Sequence, residues 1–149
     1  METRSGDPIG AMTPDEAWAA MADDSGAMLV DVRTQAEWAF VGTADTRPLG
    51  RPQCFIEWVS FPEMRSNPAF LDMLDAEVQR SSATALYFLC RSGGRSHDAA
   101  IAASARFAAA GRPIPCINVM EGFEGPLDAD GHRSTAGGWK ARGLPWRQS

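Results

Sequence analysis

The sequence predicts an α/β fold in which a mainly parallel sheet carries helices on both faces. Three observations point to it. Short apolar runs alternate along the chain with segments of helical periodicity. Residues 84–90, TALYFLC, are apolar nearly throughout, as expected of a parallel strand covered on both faces. Two helix starts carry the Thr-x-x-Glu signature, Thr13 with Glu16 and Thr34 with Glu37.

Residues 1–11 are polar and contain glycine and proline, so a flexible N-terminal arm is expected there. TPDEAWAAM opens the first helix, with Thr13 as cap, Pro14 in the first turn and Glu16 completing a capping box. AMLVDV, residues 27–32, reads as a short buried strand, and TQAEWAF as a short helix. Residues 41–53 carry prolines and glycines without periodicity and read as a long surface loop. CFIEWVSF, residues 54–61, is the next strand, and NPAFLDMLDAEVQ a helix capped by Asn67 with Phe70, Leu71, Leu74 and Val78 at its apolar positions. TALYFLC is expected at the centre of the sheet. Residues 96–110 follow as a helix with Ala100, Ile101, Ser104, Phe107 and Ala108 on one face, stopped by Gly-Arg-Pro. PCINVM, residues 115–120, is the last short strand; the tail is turn-rich, with one short helix over residues 138–142.

A chain of 149 residues suits one domain, placed at residues 12–149, with a glycine-rich insertion around residues 121–138. The N-terminus lacks the pattern of a secretory signal and no run reaches the length of a transmembrane helix, so a cytoplasmic protein without a membrane partner is expected. A net charge of -5 and a pI near 5.0 argue against nucleic-acid binding, which needs clustered Lys and Arg. Cys54, Cys90 and Cys116 lie far apart with no C-x-x-C, so neither a disulfide framework nor a zinc site is expected.

Cys90 is the candidate nucleophile. It ends the apolar strand and opens CRSGGRS, and ligands of such sheets sit beyond the carboxyl ends of the strands. A thiol attacks as thiolate, a form that nearby positive charge and helix N-termini favour. Arg91 and Arg95 supply the charge, Gly93 and Gly94 let successive N–H groups converge into an anion nest, and Ser92 and Ser96 add hydroxyl donors. Cys54 and Cys116, inside apolar strands, read as packing residues.

This loop, with LVDVRTQAEW upstream and NVMEGFEG and GGWKARGLPW downstream, resembles the rhodanese-like sulfurtransferases, in particular the single-domain kind, in order from about Met12 to Trp146. The resemblance implies a three-layer rhodanese-like domain and a persulfide mechanism. Cys90 takes the sulfane sulfur of a donor such as thiosulfate and passes it to cyanide or a thiol, without a metal or organic cofactor. Arg91, Ser92, Gly93, Gly94, Arg95 and Ser96 are then expected to bind the anionic donor. Asp31 and Arg33 match the family's Asp-x-Arg, which makes Arg33 a further candidate; the structural alternative is a buried ion pair with Glu37 that fixes the following turn. His97 reads as a solvated residue of the first helical turn.

The sequence departs from the family pattern in two places. VGTADTRPLG stands where many members carry Gly-His-Ile-x-Gly-Ala, so that wall of the pocket lacks the histidine. An insertion separates the first glycine of EGFEG from Trp139 and reads as a lid or partner surface; its DADG resembles part of a calcium loop but reads as a turn. Two rival functions remain. Cysteine phosphatases and arsenate reductases place five residues between Cys and Arg where this loop has four, and no aspartate general acid is identifiable. A persulfide relay that serves a protein acceptor would keep Cys90 and both arginines.

Overall fold

The computed structural model describes residues 9–148. The elements are β1 (Gly10–Met12), α1 (Pro14–Ala22), β2 (Ala27–Asp31), α2 (Gln35–Phe40), β3 (Thr43–Ala44), β4 (Gln53–Phe55), β5 (Val59–Ser60), β6 (Arg65–Ser66), α3 (Phe70–Ser81), β7 (Ala85–Leu89), α4 (Gly94–Ala109), β8 (Cys116–Val119) and β9 (Trp146–Arg147). Five strands form one sheet in the order β1-β8-β7-β2-β4, and every pairing is parallel. β7 is the central strand, as its unbroken apolar run predicts, and every residue of β2 and β7 is buried.

The alternation of side chains along these strands builds two cores. Met28, Val30, Leu86 and Phe88 pack with Phe70, Leu74, Val78 and Phe107 of α3 and α4 on one face; Leu29, Tyr87 and Leu89 pack with Ala17 and Met21 of α1, Phe123 and Trp139 on the other. Both capping boxes form. Thr13 Oγ1 accepts from Glu16 N–H while Glu16 accepts from Thr13 N–H, and Thr34 and Glu37 do the same.

Several expectations are corrected. The expected arm of residues 1–11 lies largely outside the described residues, but Gly10–Met12 is strand β1, held parallel to β8, and Ile9 is buried. The expected strand over residues 54–61 is regular only over Gln53–Phe55, opposite Leu29–Asp31 of β2; beyond it Ile56 and Trp58 N–H still donate to Asp31 O and Val32 O, at 3.0 and 3.1 Å, as the chain leaves the sheet. The chain instead turns into the β5–β6 hairpin. α3 starts at Phe70, and Asn67 caps a turn just before it, accepting from Ala69 N–H at 3.0 Å. In α4 the buried positions are Ser96, Ala99, Ala100, Ala103 and Phe107, whereas Ile101 is 37% exposed. The face is rotated toward the alanines because they allow the helix to lie close on β7 and β8. The short helix expected at residues 138–142 is a single turn closed by Arg142 N–H on Gly138 O at 3.0 Å. Among the described residues no helix is long and apolar enough to cross a membrane.

The tail is tied to the body by Trp139, which is fully buried, meets Trp18 edge to face at 5.7 Å and donates from Nε1 to Pro145 O at 2.8 Å. Trp139→Ala is expected to cost about 3–5 kcal/mol in urea unfolding, through lost packing and the cavity left behind.

Candidate active site

The parallel register carries β7 to its carboxyl end beside the ends of β2 and β8, and Cys90 is the first residue beyond it. The loop 90–93 then leads into α4. Gly93, the N-cap, has φ of +113°, a conformation that favours glycine. Its N–H donates to Cys90 Sγ at 3.1 Å. Ser96, buried in the first turn of α4, places its hydroxyl 3.2 Å from the same sulfur. Cys90 itself is only 1% exposed.

Sequence reasoning missed Asn118. It sits near the carboxyl end of β8, accepts from Ser96 Oγ at 2.6 Å through Oδ1 and donates from Nδ2 to Gly93 O at 3.2 Å. The single Ser96 proton thus has Asn118 Oδ1, Cys90 Sγ and Gly93 O within reach. When it lies on Asn118, the Ser96 lone pairs face the sulfur and can accept from a thiol; when it turns to the sulfur, it can donate to a thiolate. The signal for Asn118 was present: it is the one strongly polar side chain in the apolar run PCINVM.

The turn after β8 braces the loop. Phe123 N–H donates to Cys90 O at 2.8 Å and Glu124 N–H to Arg91 O at 2.9 Å. Gly122, at φ of +66°, lies so close that a Cβ there would meet Cys90 O at 2.5 Å. The segment over residues 121–138 thus braces the loop through its backbone, and none of its residues lines the cavity formed by Thr34, Glu37, Arg91 and Arg95. Its Asp128 accepts from the N–H groups of Asp130 and His132 and from the Thr135 hydroxyl, so DADG is a turn built on this carboxylate. Among the described residues no group of three or more His, Cys, Asp and Glu could hold a metal ion.

The three arginines have separate positions. Arg33 is wholly buried, pairs with Asp31 at 2.7 Å, donates to Gly42 O at 2.8 Å and stacks its guanidinium 4.4 Å above the Phe123 ring. It is not among the residues that line the cavity beside Arg91 and Arg95, and its Nη1 is buried with no hydrogen-bond partner among the described residues. The ion-pair alternative needs correction, since Arg33 is the partner of Asp31 and Glu37 is not. Glu37 instead binds Arg95 through both carboxylate oxygens, at 2.7 and 2.9 Å. Arg95 was expected to face the anion, but its charge is matched within the protein. Arg91 is exposed, has no side-chain partner among the described residues and lines, with Arg95, a cavity of about 450 Å³ bounded by Thr34, Glu37, Phe40, Phe61 and Met64. Ser92 is exposed and Gly94 begins α4, so of the expected donors only Gly93 N–H and Ser96 reach the sulfur.

The other thiols are set apart from this chemistry. Burial pushes Cys54 and Cys116 up to about 12, which leaves both as neutral packing groups. Burial also works to raise Glu37, but the hydrogen bonds from Arg95 and Thr34 outweigh it and hold the carboxyl at about 2.

No family model matches the chain. It is 45% identical to the protein of the crystal structure of Rv0390 from M. tuberculosis, with a TM-score of 0.78 over 95% of this chain and 98% of that one. It is 35% identical over 124 residues to the uncharacterized protein RP600 of Rickettsia prowazekii, covering 83% of this chain and 85% of the relative. A rhodanese-like domain protein from Staphylococcus aureus superposes with a TM-score of 0.50 at 18% identity, over 95% of this chain and 99% of that one, which shows the rhodanese-like fold.

The Glu37–Arg95 pair has a pH signature. A carboxyl lowered from 4.5 to about 2 on folding contributes stability that is fully present above pH 4.5 and is lost as pH falls through about 2. Glu37→Gln keeps a side chain that can complete the capping box but removes the charge. It is expected to be less stable than wild type near neutral pH, with the difference shrinking between 4.5 and 2, as read from urea midpoints across that range.

Proposed function

The chain belongs to the family of bacterial proteins that includes Rv0390 of M. tuberculosis and RP600 of Rickettsia prowazekii, and from that premise and its rhodanese-like fold we propose that it is a sulfurtransferase working through a persulfide on Cys90. The observation that carries this reading is the cradle around one sulfur. Sγ stands at the carboxyl end of the central strand with Gly93 N–H at 3.1 Å and the Ser96 hydroxyl at 3.2 Å.

The Cys90 thiolate attacks the outer sulfur of thiosulfate, and sulfite leaves with the electron pair of the broken S–S bond. Gly93 N–H and Ser96 hold the resulting persulfide anion. Cyanide or a thiolate then attacks the outer sulfur and the bonding pair returns to Cys90. Arg91 binds the donor's sulfonate, because it is the arginine of the cavity whose charge no carboxylate matches. Arg95 keeps α2 and α4 together through Glu37 and acts on the donor only at longer range. Four residues between Cys90 and Arg95 make a loop too tight for the phosphatase alternative.

Intact mass after thiosulfate treatment tests the reading directly. A one-sulfur adduct is expected on wild type and none on Cys90→Ser; turnover of an aryl phosphate without any sulfur adduct would overturn the assignment. Loss of one charge-assisted contact, about 1.5–3 kcal/mol, corresponds to about tenfold or more in binding. Arg91→Ala is therefore expected to raise KM for thiosulfate by about tenfold while the urea midpoint stays near that of wild type.

A further inference from the structure

The cavity that Arg91 and Arg95 of the Cys90 loop line carries more exposed apolar surface than transfer between small ions requires. Phe40, the last residue of α2, is 83% exposed; Phe61 and Met64, at the turn of the β5–β6 hairpin, are 64% and 46% exposed. These three side chains, with Val41, wall the cavity that Arg91 and Arg95 close on the loop side. Thiosulfate and cyanide have no apolar surface to bury there. Exposed aromatic clusters rimmed by polar groups mark protein contacts, and Phe, Met and Arg are enriched in them.

We propose that this face docks the acceptor, an extended segment of a partner protein that presents a cysteine flanked by an apolar side chain and a carboxylate. The proposal rests on the persulfide reading above and names its acceptor. Charge selects the carboxylate: Arg95 is matched by Glu37 within the cavity, and Arg91 is left with one unmatched positive charge. Burial selects an extended segment, because Cys90, a residue only 1% exposed, lies below the reach of a thiol fixed on a folded surface. Phe40 and Phe61 stand out into solvent, so a molecule small enough to lie inside the cavity would leave most of their surface wet; a polypeptide covers both. The transfer balances without a further reactant. The acceptor thiolate attacks the outer sulfur of Cys90–S–SH, the S–S bond breaks, Cys90 leaves as thiolate, and the acceptor becomes the persulfide R–S–SH.

The test compares acceptors on protein preloaded with thiosulfate. The probes are a ten-residue peptide with Phe and Asp flanking a central Cys, the same peptide with Lys in place of Asp, free cysteine, and cyanide. The Phe/Asp peptide is expected to exceed free cysteine and the Lys peptide by about tenfold or more in kcat/KM, the size of one charged contact. Phe40→Ser with Phe61→Ser is expected to lower the peptide rate about tenfold more than the cyanide rate. Equal rates for the Phe/Asp peptide and free cysteine, or an equal fall for peptide and cyanide in the double variant, overturn the docking surface. A second measurement needs no sulfur chemistry: the Cys→Ser form of the Phe/Asp peptide, titrated into untreated protein, is expected to shift backbone NMR signals of residues 36–41 and 59–66. Shifts there without any sulfur adduct would leave the docking surface standing and remove the persulfide reading. Absence of binding at millimolar peptide, or shifts confined to other surfaces, would remove the docking surface alone.

Discussion

The hydrogen bonds from Phe123 and Glu124 N–H to the carbonyls of Cys90 and Arg91 are the constraint on which the site depends. They fasten the loop after β7 to the turn after β8, and Gly122 lets the two backbones meet without a side chain between them. From this junction the rest follows. Asn118, two residues before the turn begins, reaches both Ser96 and Gly93, so the groups that contact Sγ are referenced to β8 as well as to α4. Trp139 donates its backbone N–H to Gly122 O, which ties the tail to the same point. The sulfur thus sits at a place where three segments of chain converge.

Charge is distributed around this junction in a graded way. Asp31 and Arg33 are a buried pair, for which desolvation consumes most of the Coulombic gain. Their value lies in geometry: the guanidinium joins the end of β2 to Gly42 O and to the Phe123 ring, and so to the turn that braces the loop. Glu37 and Arg95 form a second, half-buried pair that joins α2 to α4 across the mouth. With these arginines matched, Arg91 carries the open charge of the cavity. A chain with net charge -5 can therefore still present a local cation to an anionic ligand.

Much of the frame was legible because its causes are local. Thr13 with Glu16 and Thr34 with Glu37 form capping boxes from residues three apart, and TALYFLC is central because a strand covered on both faces must be apolar on both. Other elements escaped for equally physical reasons. β1 is three residues long and exists through its pairing with β8, more than a hundred residues later in the chain. The strand after Gln53 stops where β2 stops, which no feature of CFIEWVSF marks. In α4 the alanines are too small and too numerous to fix the phase of the buried face, and contact with β7 and β8 decides it.

The site divides along the same line. The sequence by itself determined that Cys90 ends a buried strand and that glycines and a helix start follow it, because strand burial, φ at Gly93 and helix initiation depend on neighbouring residues. Only the tertiary structure decided which groups touch the sulfur and which arginine stays free. Glu37 claims Arg95 from 58 residues away, and Asn118 reaches Ser96 from 22 away. Charge pairing and hydrogen-bond satisfaction act through space, so residues that look equivalent in CRSGGRS acquire different roles once distant parts of the chain arrive beside them.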